Sequence, residues 1–553
     1  MTITNGQING HASTSTSSPS EEVAYYLNET TKIIQAWIKK GENEDEPVSR
    51  FTSSKEMRQA VKLSLSDESC SNEKVLQSMA SLLDNSVNPW TGRFVDKLYS
   101  TPMPIGIASE ALLAAINANA HVISAAPMLC LAEETCVNGL TSLCGWNPTY
   151  ADGMTMPGGS MSNTFAIQTA VNHSFPAFKN EGVVGVITEL MGRRNRSAKA
   201  SKPLIITGAD SHYSLEKAAL ACGMGLNSVV KVPCDIYGNM DVDALDRILE
   251  GLYQDNEGKG EKAGFPFFVN ATAGSTVTGS FDNLDQIANI CDKYRSAYET
   301  PLWLHVDGSW GGPVLFSSRY RSRMAGIERC DSLTINPHKL LNIPHQCSFV
   351  LFRKGDVLEN NALDAPYLFH ANDGDVESDT AAKLEESEAA LRRKNARHEG
   401  PAKVNFGCGR KGDALKLYIA WQSKGARYFG EHVERGIESA NRIVQYIKTD
   451  SNLSKRLQLA QTESSGAPLF LQVCVRPALG ANASVEERSK ATQYVHNAIR
   501  QQRRFAVDFA PLGKGQGDFI RMVTHPFTSF EDLVSLVTQI ADFGDDYMHL
   551  KGI

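Results

Sequence analysis

The feature of the sequence that most constrains the fold is a series of short apolar runs between residues 200 and 353. The runs are KPLIITG, SVVKVP, GFPFFVNATAG, LWLHVDG, SLTINP and CSFVLFR, and turn residues bound each of them. Several are nearly continuous in Val, Ile, Leu and Phe, as strands buried on both faces are. Helical patterns such as SLEKAALACGM and NLDQIANICDKYRSA lie between some of the runs. This alternation predicts a mainly parallel, doubly wound α/β sheet, in which ligands bind beyond the carboxyl ends of the strands.

Further segments are expected around this sheet. They are a disordered tail (1–21), an N-terminal helical segment (22–110), a large α/β domain (111–370), a charged insertion (371–404) and a smaller C-terminal α+β domain (405–553). The long apolar helical stretch before residue 146 fits two helices separated at Pro127 better than one. The charged insertion is interpreted either as a solvated surface segment or as a lid over a site.

Composition excludes several classes of function. The net charge of −7 over 553 residues makes the chain a poor candidate for binding nucleic acid, which needs a basic face. The sequence contains no apolar run of the ~20 residues that a membrane span needs, and its beginning does not resemble a secretory signal. The 11 cysteines are scattered without zinc-ligand spacing, which predicts no metal site and reduced thiols in a cytoplasmic protein.

Two charged residues follow predicted buried strands. In NPHKLL, Lys339 comes just after the run SLTINP, and partial desolvation there would lower its pKa and free its amine to form a Schiff base. In LWLHVDGSWGG, Asp307 ends another buried run. A lysine that forms a Schiff base, together with an acid facing a protonated ring nitrogen, is the pair that pyridoxal phosphate (PLP) requires. Taken alone, each residue has a second interpretation: Lys339 as an ordinary surface lysine and Asp307 as a turn-forming aspartate.

Three further motifs suit a phosphorylated, flat ligand. In MPGGSMSNTFAIQTA, Gly158 and Gly159 run into a helix whose first N–H groups face an anion, and Ser160 and Ser162 add hydroxyls. In ADSHYSLEKAA, the ring of His212 stands at a strand-to-helix turn, where it would stack on a flat cofactor. In NATAGSTVTGSFD, three hydroxyls follow a strand and are placed to reach a phosphate or phenolic oxygen: Thr272, Ser275 and Thr276.

In this order, PGGSMSN, DSHYSLEKA, NATAGSTVTGSFD, LHVDGSWGG and NPHKLL resemble the group II PLP-dependent amino-acid decarboxylases. The similarity is greatest to the branch of glutamate, cysteine-sulfinate and aspartate decarboxylases. It covers residues 90–353 and continues through CGRKGDALKLYIAWQSKG and FIRMVTHP. The resemblance implies the PLP-dependent transferase fold of the aspartate aminotransferase type (fold type I). It also implies a homodimer with active sites at the interface, and N-terminal helices that pack on the partner.

The resemblance also implies roles for individual residues. Lys339 is the Schiff-base lysine, Asp307 pairs with the pyridine nitrogen, and His212 stacks on the ring and assists proton transfer. Arg521 matches the arginine that holds the substrate carboxylate. The residues expected to contact the cofactor besides those three are Ser160, Met161, Ser162, Thr272, Ser309, Asn336 and His338.

Two departures from the family pattern bear on substrate and outcome. In RFVDKLYST, Lys97 stands where the glutamate branch has a glutamine near the distal carboxylate of the substrate. A cation there suits an acidic substrate such as aspartate, glutamate or cysteine sulfinate, unless Lys97 points to solvent or pairs with Asp96. The sequence also has no tyrosine between Tyr367 and Tyr418, where the family usually carries the loop tyrosine that protonates the product.

The function expected is therefore decarboxylation of an acidic L-amino acid, which gives CO2 and an amine. Because the loop tyrosine is missing, oxygen would have time to intercept the decarboxylated intermediate. Decarboxylation coupled to oxidative deamination, which gives an aldehyde, is therefore an alternative, as is another PLP-dependent carbon–carbon lyase reaction. His370 and His398 flank the insertion and are candidate substitutes for the tyrosine, as is the partner subunit. A third alternative is a non-catalytic protein of this fold, against which Lys339, Asp307 and His212 all argue.

Overall fold

The computed structural model describes residues 18–260, 262–363, 365, 386–460, 468–513 and 515–552. The chain divides into two compact units, one made of Met1–Phe94 with Arg500–Ala506 and the other of Val95–Ile499 with Val507–Ile553. The expected disorder of residues 1–17 and the candidate donor His370 lie outside the described residues. Every described residue to which the sequence assigns a role in the site belongs to the second unit.

The first unit contains three helices, α1 (Pro19–Gly41), α2 (Ser54–Ala60) and α3 (Asn72–Asp84). Helix α1 begins inside the segment that the sequence assigned to a disordered tail. The reason is a capping box: the Ser18 side chain accepts from the Glu21 N–H, and the Glu21 carboxylate accepts from the Ser18 N–H. Two N–H groups that the start of a helix leaves unpaired are satisfied in this way.

The second unit is built on a seven-stranded sheet. Its strands are β1 (Asp152–Met156), β2 (Pro203–Gly208), β3 (Val229–Val232), β4 (Phe265–Thr272), β5 (Trp303–Gly308), β6 (Ser332–Ile335) and β7 (Ser348–Phe352). Their order is β1-β7-β6-β5-β4-β2-β3, and only β7 runs antiparallel to its neighbours. The predicted mainly parallel α/β sheet is confirmed, and six of its strands are the predicted apolar runs.

Strand β1 was not predicted from the sequence. Its residues, DGMTM, are mixed in polarity and contain a glycine, so they lack the Val and Ile content that marks a buried strand. Tertiary packing decides its conformation, because β1 pairs along its whole length with β7 and all five of its residues are buried. The packing is close: a Cβ on Gly153 would lie 2.5 Å from the main-chain oxygen of Val350.

Further helices precede, connect and follow these strands along the chain. They are α4 (Pro104–Ile116), α5 (Pro127–Leu143), α6 (Gly159–Ser174), α7 (Phe178–Arg194), α8 (Ser214–Ala221), α9 (Val242–Gln254), α10 (Leu284–Tyr298) and α11 (Glu386–Glu399). The predicted break at Pro127 is confirmed, since α4 ends before Asn117, which adopts a left-handed conformation, and Pro127 begins α5. Proline at a first helical position loses no hydrogen bond, because that N–H would be unpaired.

The C-terminal part has a second, smaller sheet. Its elements are α12 (Ala414–Thr449), α13 (Leu453–Arg456), β8 (Leu457–Leu459), β9 (Gln472–Pro477), α14 (Val485–Gln502), β10 (Asp508–Leu512), β11 (Gly517–Val523) and α15 (Phe530–Lys551). The four strands are antiparallel in the order β10-β11-β9-β8. Ser529 caps α15. Helix α12 bends at Gly425 and continues to Thr449. Of the helices described, none is long and apolar enough to span a membrane.

Candidate active site

The carboxyl ends of the parallel strands meet at one edge of the large sheet and enclose a cavity of about 220 Å³. This position follows from the topology, because parallel strands direct their ends to the same edge. The segments after β1, β2, β4, β5 and β6 all contribute to the lining. The lining residues are Gly159, Ser160, Asn163, His212, Tyr213, Thr272, Gly274, Thr276, Asp307, Ser309, Trp310, Asn336, His338 and Lys339. Eight of the ten residues assigned to catalysis or cofactor binding are therefore brought together.

Asp307 and Lys339 are the two oppositely charged groups of this cavity. Burial lowers the pKa of the Lys339 ammonium, and the negative charge of Asp307 offsets part of that effect. Burial also disfavours the charged form of Asp307. The hydrogen bond from Ser309 and the charge of Lys339 outweigh this, so the pKa of Asp307 lies below its usual value. The site therefore holds an ionised carboxylate and an amine that loses its proton more readily than a lysine in water.

Two N–H donors fix the Asp307 carboxylate. The Ser309 amide donates to Oδ1 at 3.1 Å, and Asn163 Nδ2 donates to Oδ2 at 2.9 Å. Asn163 is held in turn by His305, whose Nε2 lies 3.2 Å from Asn163 Oδ1. Burial lowers the pKa of His305 to about 4, so its neutral ring donates through Nε2 and accepts through Nδ1 from Ser332 Oγ at 2.8 Å.

Asn163 lines the cavity and donates to Asp307, although the sequence analysis does not single it out. It lies within the PGGSMSN motif, four residues into α6, and a helix returns side chains to the same face after three or four residues. That periodicity places Asn163 on the same face as Ser160, which also lines the cavity. Helical spacing from Ser160 is thus the signal in the sequence that points to Asn163.

Two histidines of the cavity are neutral at physiological pH. Burial lowers the pKa of His212, and it lowers the pKa of His338 to about 3. The Ser214 N–H donates to His212 Nδ1 at 3.2 Å, so the ring carries its proton on Nε2. The ring of His338 is fixed by main-chain atoms, since its Nδ1 lies 2.6 Å from the oxygen and 3.0 Å from the nitrogen of Cys347. His212 therefore presents an Nε2–H donor on the side of the ring away from Ser214.

The beginning of α6 forms a cradle for an anion. Gly158 adopts a left-handed φ of 93° just before the helix, and Gly159 is its first residue. A Cβ on Gly159 would lie 2.6 Å from Ser309 Oγ and 2.7 Å from Asn336 Nδ2, so only glycine permits this approach. A helix N-terminus, with hydroxyl and amide donors facing it, suits a phosphate group.

Thr272 provides a second observation that points to a ligand. Its Oγ1 is buried and has no hydrogen-bond partner among the residues described, although it lines the cavity. Buried hydroxyls are normally paired, so a bound group is expected to complete this one. Asp282 fixes the position of Thr272, because its carboxylate accepts from the Thr272 N–H at 2.7 Å and from the Met240 N–H at 2.6 Å. Burial raises the pKa of Asp282 to about 6.

Three of the predicted ligand-contacting residues do not line the cavity. Met161 is 38% exposed and faces a neighbouring cavity instead. Ser162 is fully buried, and its Oγ lies 2.8 Å from Ser348 Oγ on β7. Both follow Ser160 by one or two positions, and such positions point to other faces of a helix. Ser275 bonds to Ser280 Oγ at 2.7 Å and so closes the turn after β4 rather than facing a ligand.

The two predicted substrate-binding cations are not among the residues that line the cavity. Arg521 Nη1 donates to the main-chain oxygen of Thr276 at 3.1 Å, and Thr276 is a lining residue. Lys97 Nζ lies 3.2 Å from Asp96 Oδ2 and 3.0 Å from Asp508 Oδ2. The pairing with Asp96 is the alternative that the sequence suggests, whereas the contact with Asp508 depends on the fold. Hydrogen bonds and charge from Lys97 hold the pKa of Asp508 below its usual value against the opposing effect of burial.

His398, a candidate substitute for the loop tyrosine, is engaged elsewhere. Its Nε2 lies 2.9 Å from Asp152 Oδ1 at the beginning of β1, and Arg397 Nε contacts Asp152 Oδ2 at 2.9 Å. The residue is 7% exposed and does not line the cavity of Lys339. Despite burial, the bond to Asp152 raises the pKa of His398, and together with the charge of His398 it lowers the pKa of Asp152. This pair anchors α11 and does not serve as a proton donor at the cavity.

The ion pair between His398 and Asp152 predicts that the stability of the protein depends on pH. The raised pKa of His398 contributes stability that is complete below its ordinary value of 6.5 and is lost as pH rises through the raised value. The lowered pKa of Asp152 contributes stability above its ordinary value of 3.8 and loses it as pH falls further. We therefore expect His398→Gln to lower stability most between these two values, by about 1.5–3 kcal/mol for a hydrogen bond between charged groups.

Thermal unfolding of the wild type and the variant from pH 4 to 9 measures this difference. The matched control is His549→Gln, which removes an exposed histidine from α15. A difference between wild type and His398→Gln that stays constant across the whole range would contradict the charged pair.

The fold and the cavity define the class of protein. A mainly parallel α/β sheet carries a lysine, an ionised carboxylate, a histidine and an anion cradle at its carboxyl edge. These are the groups that PLP requires: an amine for its aldehyde, an acid for its ring nitrogen and N–H donors for its phosphate. The glycine cradle and the unpaired Thr272 hydroxyl fit such a group. The chain is a PLP-dependent enzyme of fold type I.

Comparisons with known proteins narrow the class to a family. Residues 54–388 match the family model described as the pyridoxal-dependent decarboxylase conserved domain. The chain is 34% identical to the L-aspartate decarboxylase dtxS4 of Metarhizium robertsii over 476 residues, which cover 85% of this chain and 83% of the relative. The crystal structure of mouse CSAD superposes with a TM-score of 0.78 at 26% identity, over 96% of this chain and 99% of that one.

The fold is shared more widely. The structure of Oryza sativa TDC with PLP and tryptamine has a TM-score of 0.78 at 16% identity, over 96% of this chain and 100% of that one. The chain belongs to the pyridoxal-dependent decarboxylase family. It is a carboxy-lyase with PLP as its cofactor, as the sequence predicted.

Proposed function

We propose that this enzyme decarboxylates an L-amino acid with an acidic side chain, namely aspartate, glutamate or cysteine sulfinate, and releases CO2 and the corresponding amine. The observation that carries the proposal is a pair of linked cations, one of which contacts a residue that lines the cavity. Arg521 contacts the main chain of the lining residue Thr276, and Lys97 shares the carboxylate of Asp508 with Arg521. Two neighbouring cations suit the side-chain carboxylate of an acidic substrate. The identity of 34% to a protein named L-aspartate decarboxylase supports aspartate as the first substrate to test.

Different residues of the cavity are suited to different parts of the reaction. When bound, PLP supplies an aldehyde and a ring that accepts the electron pair left by the departing CO2. Lys339, with its lowered pKa, offers the amine for that aldehyde. Asp307, held ionised by two N–H donors, is suited to keep a proton on the ring nitrogen. The beginning of α6, with Ser160, Ser309 and Asn336, is suited to hold the phosphate.

His212 is suited to a different task. Its ring lines the cavity, is neutral and carries its proton on Nε2, because Nδ1 accepts from the Ser214 amide. A neutral imidazole with one free N–H can donate a hydrogen bond to a carboxylate or help to move a proton. The position at the carboxyl edge of β2 supports the predicted stacking on the cofactor ring.

A product assay tests the proposed reaction. The purified holoenzyme is incubated with each of the twenty amino acids and with cysteine sulfinate, and CO2, amine, ammonia and peroxide are measured together. One amine for each CO2, with an acidic substrate preferred, is the expected result. Ammonia and peroxide in step with CO2 would instead establish the aldehyde-forming alternative, which the missing tyrosine between Tyr367 and Tyr418 suggests.

Lys97→Gln tests the preference for acidic substrates. We expect kcat/KM for L-aspartate to fall about tenfold, since a hydrogen bond between charged groups is lost, and kcat/KM for a neutral amino acid to fall much less. The control is Lys490→Gln, which removes the same charge from an exposed lysine that pairs with Glu486 on α14. Equal losses for acidic and neutral substrates would remove Lys97 from the specificity argument.

We also propose that the enzyme is a cytoplasmic homodimer with active sites at the subunit interface. The resemblance to the decarboxylase family supports the dimer. The cysteines, all of which are free, support a reducing compartment. Sedimentation of the holoenzyme is expected to give twice the chain mass of 60.4 kDa.

A further inference from the structure

We propose that Asp508 is a specificity-determining residue, an internal counter-ion that occupies the cation pair of Lys97 and Arg521 and that the carboxylate of an acidic substrate displaces. The inference rests on the proposed function, since it concerns the same substrate-binding cations. Asp508 would thereby set how tightly an acidic substrate binds, without taking part in the chemistry.

The small sheet places Asp508 beside Arg521. Strands β10 and β11 are antiparallel, and their register sets Asp508 directly opposite Arg521. Directly opposed residues on neighbouring strands have adjacent side chains. Asp508 Oδ2 lies 3.0 Å from Lys97 Nζ and 3.7 Å from Arg521 Nη2, so one carboxylate oxygen serves both cations.

Asp96 completes the cluster from the other side. Its Oδ2 lies 3.2 Å from Lys97 Nζ, and its main-chain oxygen accepts from Arg521 Nη2 at 2.6 Å. The side chain of Asp96 is 16% exposed and that of Asp508 is 37% exposed. Asp508 is therefore the more exposed of the two carboxylates and the one with more room to turn away.

The charges of the cluster balance before any substrate enters. Lys97 and Arg521 supply two positive charges, and Asp96 and Asp508 supply two carboxylates. A substrate carboxylate that joined the cluster without displacing Asp508 would meet like charge at close range, which is unfavourable. Displacement of Asp508 restores the balance, with the substrate carboxylate in its place.

Arg521 has an unused donor that a substrate can fill. Its Nε is buried and has no hydrogen-bond partner among the described residues, although Nη1 and Nη2 both donate to main-chain oxygens. A planar guanidinium binds a carboxylate best through two donors at once. The contact at 3.7 Å that Asp508 makes with Arg521 leaves that binding mode open.

Displacement of Asp508 by a substrate carboxylate costs little, because the ion pair between Lys97 and Asp508 is only partly buried. The side chains of Lys97 and Asp508 are both more than a third exposed, at 43% and 37%. Ion pairs of this kind contribute little stability.

The role opposite to a displaceable counter-ion is that of a tether, in which Asp508 holds Lys97 in the orientation that the substrate needs. The two roles predict opposite effects of removing the carboxylate.

Asp508→Asn in the holoenzyme separates these roles. With the counter-ion removed, we expect KM for L-aspartate to fall about two- to fivefold, the worth of a partly exposed ion pair, with the effect on KM rather than on kcat. Titration calorimetry with succinate, a dicarboxylate that lacks the reacting amine, is expected to show a similar fall in Kd. A rise in either constant, or no change in both, would overturn the proposal.

Three further variants make the result decisive. Asp518→Asn removes the same charge from β11, where the carboxylate accepts from Gln493 Nε2 at 2.7 Å, and is expected to leave both constants unchanged. Asp508→Ser gives the same test if the asparagine variant does not fold. Lys97→Gln addresses the proposed function separately: if it leaves KM for L-aspartate unchanged, the acidic-substrate site is wrong. If it raises KM but Asp508→Asn does not lower it, only the role of Asp508 is wrong.

Discussion

Replacing Lys339 with alanine is expected to abolish decarboxylation. The amine of Lys339 lies in the same cavity as Asp307 and His212, and burial lowers its pKa, so it is the group placed to engage the aldehyde of PLP. Removing a residue that forms a covalent bond in the reaction costs on the order of 10⁴-fold or more in kcat. Single-turnover CO2 release and the visible absorbance of the lysine-bound cofactor measure the loss.

Lys339→Arg is the matched control for this experiment. Arginine keeps the positive charge beside Asp307, but its guanidinium does not lose its proton in proteins and does not act as an amine nucleophile. We therefore expect Lys339→Arg to be as inactive as the alanine variant. Appreciable turnover by either variant, or an unchanged visible band, would refute the assignment of Lys339.

Asp307→Asn is expected to lower kcat by about 10²–10³-fold while the protein still folds. The substitution keeps the shape of the side chain but removes the negative charge that the Ser309 amide and Asn163 Nδ2 orient. A substitution that removes a preorganised charge from a reacting centre typically lowers kcat by this factor. The proton on the ring nitrogen would lose its partner, and the ring would accept electrons less well.

The measurement compares kcat, cofactor affinity and thermal unfolding in the same preparation. A matched control is Asp282→Asn, because Asp282 is equally buried but binds the main chain of Thr272 and Met240 instead of facing the cavity. We expect that control to affect stability more than kcat. If Asp307→Asn instead lost only stability and kept full kcat with bound cofactor, Asp307 would have a structural role alone.

The sequence was sufficient for the features that local patterns encode. Apolar runs such as FPFFVNAT at β4 gave the strands, and strand-to-helix alternation gave the parallel sheet. Asp307 and Lys339 were predicted because each directly follows such a run, and the carboxyl ends of parallel strands meet at one edge. The same reasoning placed His212 and Thr272 there. The glycine-rich turn before a helix indicated Ser160, and the resemblance to the decarboxylase family implied Asn336.

The sequence was insufficient where contacts between distant segments decide the outcome. Strand β1 has weak β propensity and forms because β7 offers it a partner. Asp508 is far from Lys97 in the chain, and only the pairing of β10 with β11 sets it opposite Arg521. His398 looked like a free donor beside a charged insertion, but it is bound to Asp152 at the beginning of β1.

The sequence by itself determined the class of fold, the cofactor and the residues at the ends of the strands, because each of these depends on a residue and its immediate neighbours. The tertiary structure decided which side chains of α6 face the cavity, how Asn163 and His305 fix Asp307, and which carboxylates neutralise Lys97 and Arg521. The physical reason is that hydrogen bonds and charge pairs act over a few ångströms in space, whatever the separation along the chain.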